Sequence, residues 1–274
     1  MADCSTCPSG STCTKDKEKC GIVNNPLNHI KKVIGIMSGK GGVGKSTITA
    51  MFAKDLARRG FKVGILDADI TGPSIPRLMG LQGQMAMGDG ENIVPVVSKE
   101  GVKIMSLNLL LEDESQPVVW RGSLIGSAVK QFWEEVLWGE LDYLLIDMPP
   151  GTGDVALTVM QSTPINGIVM VSVPQDMVSM IVAKAVNMTK KLDVPVLGVV
   201  ENMSYIECPG CKTKISFHEE SGAEDFLKDM GLELLGELPM TKGIAKLTRG
   251  EDSLDSEKMF APIAANILKK IEKL

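Results

Sequence analysis

The sequence of 274 residues has no long hydrophobic run, no leader-like start and no excess of basic charge. No segment approaches the roughly 20 apolar residues that a membrane-spanning helix needs, and the first residues lack the charged and apolar parts of a secretion signal. We therefore expect a cytoplasmic protein with no membrane partner. The net charge is −5 and charges of both signs are interspersed, which disfavours a nucleic-acid partner.

Apolar residues make up 44% of the chain, which is ordinary for a globular protein and provides for a substantial core. The length suits one large α/β domain with a small appendage. We predict the appendage over residues 1–30, where apolar residues are scarce, and the main domain over residues 31–274. A segment as polar as the appendage cannot bury a core, so we expect it to be flexible unless a metal holds it together.

Six cysteines need an explanation, because structural disulfides are rare in a reducing compartment. They are clustered, and clustered cytosolic cysteines indicate metal binding. The four in the appendage are suited to a zinc ion or an iron–sulfur cluster, and the alternative is reactive thiols without a ligand. The appendage group consists of Cys4, Cys7, Cys13 and Cys20, and the second group of Cys208 and Cys211.

The stretch from Gly39 to Thr47 fits G-x-x-x-x-G-K-S/T, the phosphate-binding loop. Its glycines let backbone amides close around phosphate oxygens, where a side chain would block the approach. Lys45 would add a positive charge at the β- and γ-phosphates, and Ser46 a hydroxyl ligand for Mg²⁺. The predicted binding residues for a nucleoside triphosphate are Gly39, Gly41, Gly42, Val43, Gly44, Lys45, Ser46 and Thr47.

Short apolar runs alternate with helical patterns along the chain, beginning with a strand at Val33–Met37 and a helix at Ile48–Arg59. Repeated βα units predict an α/β fold with a mostly parallel twisted sheet and helices on both faces, which is the P-loop NTPase fold. Further predicted elements are strands at Phe61–Leu66, Leu141–Asp147, Ile168–Val173, Val194–Val200 and Leu234–Leu238, and a helix at Asp176–Lys191.

Two other regions give weaker patterns. We predict a hairpin that pairs Ile93–Val97 with Val102–Met105, followed by an amphipathic helix that ends near Trp138. At the C-terminus, Phe260–Leu274 places its apolar residues on one helical face. Such a helix either binds a membrane or packs onto its own domain, and we favour packing.

Three aspartates follow predicted strands, which places them at the carboxyl edge of the sheet beside the phosphate loop. Asp67 and Asp69 follow the second strand, and Asp147 ends a later strand in the Walker B arrangement, where it would bind Mg²⁺ directly or through water. The alternative is that they are capping or turn aspartates. The next loop, Met148–Asp154, combines prolines with glycines and is suited to sensing the γ-phosphate.

Cys208 and Cys211 form a C-x-x-C turn, which offers two ligands where zinc or an iron–sulfur cluster usually takes four. A two-fold dimer axis nearby would supply the other pair. One alternative is a zinc site that also uses His218. Another is a redox dithiol, although such motifs open a helix and Ile215–Phe217 alternates like a strand. The last is a hairpin tip that holds no metal.

Lys40, just after the first glycine of the phosphate loop, resembles the second lysine of the deviant Walker A loop of MinD/ParA/Mrp ATPases. The Cys208-Pro209-Gly210-Cys211 motif narrows the resemblance to the Mrp family of nucleotide-binding iron–sulfur cluster scaffold and carrier ATPases, over about residues 30–274. In this class the lysine crosses a dimer interface to the partner's nucleotide, so the resemblance implies a homodimer that sandwiches two ATP molecules. The alternative, on its chemistry alone, is an ordinary exposed loop lysine.

The resemblance also implies roles for individual residues. Asp69 would orient or activate the attacking water, and Asp67 would help to hold the Mg²⁺ shell. Asn202 would recognise the adenine base, with Pro239 on the other side of the base. From the residues alone, Asn202 could equally be a turn residue.

For the cysteines, the resemblance implies that Cys208 and Cys211 bridge a 4Fe-4S cluster between two subunits. The appendage resembles that of the cytosolic scaffold branch, in which it holds a second cluster. Cys4, Cys7 and Cys13 match the last three cysteines of that pattern. The first cysteine of the pattern has no counterpart here, and Cys20 lies downstream instead.

The function implied is an ATP-dependent scaffold or carrier that transfers a 4Fe-4S cluster to recipient apoproteins. Slow hydrolysis, coupled to cluster loading or transfer, would use Lys40, Lys45 and Asp69 as catalytic residues. One alternative is a positioning ATPase of the MinD/ParA kind that acts on membrane or DNA, which the cysteine pair and the acidic balance disfavour. Another is a reductase component resembling the nitrogenase iron protein, whose cluster cysteines come from two separate segments.

Overall fold

The computed structural model describes residues 22–70, 72–88, 90–111, 122–174, 180–208, 210–216, 223–251 and 253–274. The four appendage cysteines (Cys4, Cys7, Cys13 and Cys20) lie outside the described residues. So do His218 and the predicted start of the helix at Asp176. The boundary proposed at residue 30 therefore stays a prediction.

Twelve strands are present in the described part of the chain, and eight of them form the central sheet in the order β12-β9-β8-β1-β7-β2-β6-β5. Every pairing in this sheet is parallel except β5 with β6. The strands are β1 (His29–Ser38), β2 (Val63–Asp67), β3 (Met87–Gly88), β4 (Ile93–Val94), β5 (Val96–Val97), β6 (Lys103–Met105), β7 (Glu140–Asp147), β8 (Gly167–Ser172), β9 (Val196–Glu201), β10 (Tyr205–Glu207), β11 (Lys214–Ser216) and β12 (Leu234–Glu237).

Helices cover both faces of this sheet, which confirms the predicted fold class. The described helices are α1 (Lys45–Arg58), α2 (Ile75–Leu78), α3 (Gly122–Glu135), α4 (Asp154–Ser162), α5 (Met180–Lys191), α6 (Ala223–Met230), α7 (Lys242–Leu247) and α8 (Leu254–Ile271). Apolar residues of α1, α2, α7 and α8 join one buried cluster, and those of α3, α4, α5 and α6 join the other. Each cluster contains sheet residues, so the sheet separates two apolar layers.

The central strand β1 shows why the sequence forms this sandwich. Ile34 and Ile36 belong to one apolar layer, whereas Val33 and Met37 belong to the other. Successive side chains of a strand point to opposite faces, so a continuous apolar run suits a strand covered on both sides. β1 pairs in parallel with β7 on one side and with β8 on the other.

Parallel pairing brings the carboxyl ends of the strands to one edge of the sheet. β1 ends directly before Gly39, and β2 and β7 end at Asp67 and Asp147, which are register partners. β9 ends at Glu201 on the same edge. The residues predicted for nucleotide binding therefore follow the ends of neighbouring strands.

Two local predictions need correction. Helix α3 ends at Glu135, short of Trp138, because the chain pairs with β4 at this point. Val136 forms a parallel bridge with Ile93, and the amide of Leu137 donates to the carbonyl of Ile93 at 2.9 Å. Phe132, Trp133, Val136 and Leu137 are the residues of this segment that we expect in the core. The first three are buried, whereas Leu137 is half-buried.

The predicted hairpin is right only in its second half. Val96 and Val97 pair antiparallel with β6, and the turn closes through a 2.9 Å bond from the amide of Gly101 to the carbonyl of Ser98. β4 instead pairs with β3 in a separate small sheet. Pro95 stands between β4 and β5 and has no amide hydrogen for a ladder, which divides the predicted strand.

The C-terminal helix α8 packs onto the domain, as predicted. Phe260, Ile263 and Ile267 are buried, and the rings of Phe260 and Phe52 lie 6.4 Å apart. Leu274 lies beyond the helix and is 45% exposed, so it does not share this face. No helix in the described ranges is both long and apolar enough to cross a membrane.

This packing predicts a clear difference between two truncations. Phe260→Ala should lower the free energy of unfolding by about 3–5 kcal/mol, because it leaves a cavity between α8 and α1. Leu274→Ala should change it by less than about 0.5 kcal/mol, because the side chain is already in solvent. Urea unfolding followed by circular dichroism measures both, and equal effects would contradict the packing described for α8.

Candidate functional site

The predicted phosphate loop joins the end of β1 to the start of α1. Gly42 and Gly44 have φ angles of 83° and 85°, in the left-handed region that favours glycine. Gly44 is the N-cap of α1, and its carbonyl accepts the first helical bond, from the amide of Ile48, at 3.0 Å. The loop therefore lies at the positive end of a 14-residue helix, which is a favourable place for an anion.

Asn202 packs directly against this loop. Its Nδ2 donates to the carbonyl of Val43 at 2.9 Å, and a Cβ at Gly44 would collide with the same Nδ2. The side chain is 2% exposed, yet its Oδ1 is buried without a hydrogen-bond partner among the described residues. The structure thus ties Asn202 to the phosphate loop and leaves one buried acceptor at the loop unsatisfied.

Lys45 lies at the centre of the site among carboxyl groups. Its Nζ is 2.8 Å from Oδ2 of Asp147 and 3.6 Å from Oδ2 of Asp69. Lys45 is 5% exposed and Asp147 is fully buried, so both charges depend on this pairing. The arrangement brings together three residues that lie far apart in the sequence.

Two hydroxyl groups of α1 also reach Asp147. Ser46 donates to Oδ2 at 2.5 Å and Thr49 approaches Oδ1 at 2.8 Å. The phosphate-loop motif identified Ser46 from the sequence. It did not identify Thr49, because Thr49 lies outside the motif. The available signal was helical spacing, because Thr49 lies four positions after Lys45, on the same face of α1.

Asp67 is fully buried beside Asp147. The hydroxyl of Ser106 donates to Oδ2 of Asp67 at 3.1 Å, and the amide of Asp69 donates to Oδ1 at 3.2 Å. Burial, and then the negative charge of Asp147, raise the pKa of Asp67 to about 8. Ser106 was missed in the sequence, although it directly follows β6, the strand next to β2.

The remaining predicted catalytic residues lie at the mouth of the site. The Asp69 side chain is 14% exposed and keeps contact with Lys45. Lys40 is exposed, and its carbonyl accepts from the hydroxyl of Ser38 at 2.9 Å. The loop after β7 reaches the same place, because the amide of Gly151 donates to the carbonyl of Ser38 at 3.0 Å.

The loops after β9 and β12 are joined by main-chain hydrogen bonds. The amide of Leu238 donates to the carbonyl of Glu201, and the amide of Ser204 donates to the carbonyl of Leu238, both at 2.8 Å. Pro239, the predicted partner of the base, is buried directly after this junction. Asn202 and Pro239 therefore lie on two loops that are held together.

The C-x-x-C turn connects β10 and β11, which form a separate two-stranded sheet. The turn is closed by two 2.9 Å bonds, from the amide of Cys208 to the carbonyl of Thr213 and from the amide of Lys212 to the carbonyl of Cys208. Both thiols are free, with Cys208 half-buried and Cys211 exposed. The structure thus presents both thiols at a hairpin tip.

The Cys211 thiol is activated by its neighbours. Thr213 Oγ1 lies 3.1 Å from Cys211 Sγ, and hydrogen bonding to Thr213, together with Cys208, lowers the pKa of Cys211 to about 7. A thiolate is the form that binds metal. Within the described ranges, no group of three or more His, Cys, Asp or Glu side chains is arranged to hold a metal ion.

Two features together define a P-loop NTPase. The first is a glycine loop that joins the central strand of a parallel sheet to a helix. The second is a lysine of that motif beside a buried aspartate at the end of another strand. The family described as "ParA: NUBPL iron-transfer P-loop NTPase" matches residues 29–273. The chain belongs to this family, which confirms the resemblance stated above.

Curated relatives match over almost the whole chain. The iron-sulfur cluster carrier protein of Clostridium perfringens (strain 13 / Type A) is 47% identical, over 98% of this chain and 97% of the relative. The iron-sulfur cluster carrier protein of Methanocaldococcus jannaschii is 42% identical, over 98% of this chain and 96% of the relative. The iron-sulfur cluster transfer protein NUBPL of Mus musculus is 39% identical, over 90% and 80%.

Solved structures give the same fold. A nucleotide-binding protein from Archaeoglobus fulgidus, in complex with ADP, has a TM-score of 0.71 and 44% identity, over 80% of this chain and 86% of that one. The cell division ATPase MinD of Pyrococcus furiosus has a TM-score of 0.63, over 87% of this chain and 99% of that one, but its sequence is only 22% identical. The likeness to MinD extends to the fold alone.

The burial of Asp67 predicts how the stability of the protein depends on pH when nucleotide and magnesium are absent. Its pKa in the folded protein, about 8, lies above its ordinary value of 3.8, so between these values the folded state holds a proton that the unfolded chain has released. Stability should therefore fall as pH rises through this window, by on the order of 1 kcal/mol per pH unit. Asp67→Asn should flatten this slope.

Urea unfolding at pH 5, 6, 7 and 8 measures the slope. Asp193→Asn, an exposed aspartate in the turn after α5, serves as the matched control and should leave the slope unchanged. The same slope in Asp67→Asn as in the unaltered protein would contradict the assignment to Asp67.

Proposed function

We propose that the protein is an ATP-dependent iron–sulfur cluster carrier that acts as a homodimer and delivers a 4Fe-4S cluster to recipient apoproteins. The observation that carries this proposal is the pair of free thiols at the hairpin tip, on a chain whose sheet edge holds the residues of an NTPase. The names of the relatives from Clostridium perfringens and Mus musculus support it.

The phosphate loop fits a magnesium nucleotide. Lys45 and the glycine amides would hold the phosphates, and Ser46 and Asp147, with Asp67 behind them, would hold Mg²⁺. Mg²⁺ keeps several waters and takes few protein ligands, which agrees with so small a set of hydroxyl and carboxyl groups. When bound, Mg²⁺ neutralises charge on the phosphates. The unsatisfied Oδ1 of Asn202 would accept a hydrogen bond from the base.

Hydrolysis would be carried out by residues at the mouth of the site. Asp69, whose side chain is only partly exposed beside Lys45, would orient the attacking water. Lys40 would reach the nucleotide of the partner subunit, and its exposure supports this role, because a side chain that crosses an interface must be accessible at the surface of the free subunit. Closing of two subunits around the nucleotides would exclude water from the reacting groups.

The cluster is the cargo, and the hairpin thiols would be its ligands. Two cysteines supply half of the usual four, so a second copy related by a two-fold axis would complete the set. The lowered pKa of Cys211 favours the thiolate that iron requires. An exposed site agrees with transfer, because the acceptor's thiols must reach the cluster before the hairpin releases it.

The role proposed for Lys40 predicts separate effects on binding and turnover. Lys40→Ala should keep nucleotide affinity within about threefold, because the exposed side chain is assigned to the partner's nucleotide, and should lower kcat by on the order of 100-fold. Lys62→Ala, an exposed lysine at the opposite edge of the sheet, is the matched control and should change neither quantity. Fluorescent-nucleotide titration and phosphate release measure both, and wild-type turnover in Lys40→Ala would exclude the proposed role.

The cysteine assignment predicts the metal content of protein purified without oxygen. Iron and sulfide at about four each per dimer should be lost in a Cys208→Ser/Cys211→Ser variant. A control variant with serine in place of the four appendage cysteines should keep the roughly four iron and four sulfide ions per dimer that the hairpin cysteines hold. Zinc in place of iron would make the hairpin a structural knuckle. No metal after reconstitution would favour a positioning ATPase instead.

A further inference from the structure

Lys214 anchors the cysteine hairpin to the central sheet. It begins β11, the second strand of the hairpin, and its Nζ lies 2.5 Å from Oε2 of Glu237, the last residue of β12. The same Nζ lies 4.5 Å from the centre of the Tyr205 ring on β10. A two-stranded sheet is marginally stable by itself, so such side-chain contacts contribute to where the hairpin lies.

Glu237 in turn meets a second carboxyl group, that of Glu201. Glu201 is 8% exposed and accepts from the hydroxyl of Ser204 at 2.7 Å. Burial, with the charge of Glu237 and a hydrogen bond to it, raises the pKa of Glu201, and the Lys214 charge opposes this rise. The two acids therefore share the positive charge of a lysine that belongs to the hairpin.

The charged group of Lys214, Glu237 and Glu201 is connected at one end to the phosphate loop and at the other end to the thiols of the hairpin. Glu201 is followed by Asn202, whose amide holds the carbonyl of Val43 in the phosphate loop at 2.9 Å. At the other end, Lys214 follows Thr213, which contacts Cys211 through its hydroxyl and Cys208 through its carbonyl. A continuous series of contacts thus runs from the phosphate loop to both thiols.

We propose that Lys214, Glu237 and Glu201 are positioning residues that couple nucleotide binding to the cysteine hairpin. The proposal rests on the function proposed above and names the residues of this chain that link its two sites. Nucleotide that engages Asn202 shifts the loop between β9 and β10, and with it the Glu201 carboxyl. Because Glu237 and Lys214 follow that carboxyl, the hairpin changes its position and the environment of Cys211.

The neighbouring ion pairs do not have this placement. Lys212 and Glu207, 2.9 Å apart, both belong to the hairpin, so this ion pair does not connect the hairpin to the central sheet. Lys270 and Glu233, 2.6 Å apart, join α8 to the chain before β12 and do not reach the hairpin. Lys214 and Glu237 join the hairpin to the strand that lies beside β9.

The test measures the alkylation rate of Cys211 in the full-length apoprotein, with and without saturating magnesium–ADP, by peptide mass spectrometry. The readout is the ratio of the two rates, so a direct effect of a substitution on the thiol cancels. In the unaltered protein we expect the ratio to differ from one by about fivefold or more, the usual size of coupling between sites. In Lys214→Met and in Glu237→Gln it should return to within about twofold of one.

Two further variants separate coupling from general damage. Lys270→Met, which breaks the ion pair outside the hairpin, should keep the wild-type ratio. The exchanged pair Lys214→Glu/Glu237→Lys should recover most of it, because the opposite charges again join hairpin and sheet. A ratio near one in the unaltered protein, a wild-type ratio in Lys214→Met, or loss of the ratio in Lys270→Met would each overturn the proposal.

These outcomes are distinct from failure of the proposed function. Absence of nucleotide binding in a fluorescence titration, or absence of iron after reconstitution, would overturn the carrier ATPase and leave no site for Lys214 to couple. Nucleotide binding and iron loading together with a ratio near one would overturn the coupling alone.

Discussion

The pairing of Lys45 with the buried carboxylate of Asp147 is the interaction on which the site depends. A carboxylate with no exposed surface must be compensated by charge and hydrogen bonds, because its transfer from water is otherwise too costly. Here Lys45, Ser46 and Thr49, all from the first turns of α1, supply that compensation. The same contacts fix α1, and the phosphate loop before it, against the end of β7.

Much of this site was predictable from the sequence because its elements are local. The phosphate loop is one continuous motif, and Asp147 ends an apolar strand, so both have a recognisable pattern. Thr49 and Ser106 were missed because their roles arise only when α1 and β6 are placed beside β7 and β2. Such roles depend on strand order, which the alternation of elements does not specify.

The errors in the predicted fold have the same origin. Helical periodicity continues past Glu135, but pairing of Val136 with β4 takes over where the helix would continue. For Asn202, by contrast, the sequence left two alternatives, a turn residue and a nucleotide-binding residue, and the structure has features of both. It follows a strand as a turn residue does, and it also binds the phosphate loop and leaves a buried acceptor open.

The hairpin lies apart from the nucleotide site in the fold. β10 and β11 form their own sheet outside the eight-stranded sheet, so the thiols at the tip are not part of the shared P-loop architecture. Likeness to MinD at 22% identity therefore carries no information about the cysteines. The same separation has a consequence for any coupling. Because the hairpin shares no sheet with the phosphate loop, a change at one site reaches the other only through the contacts that join them. Those contacts include the main-chain bonds beside Leu238 and the charged group around Glu237. The proposed effect of nucleotide on the thiols therefore depends on this junction.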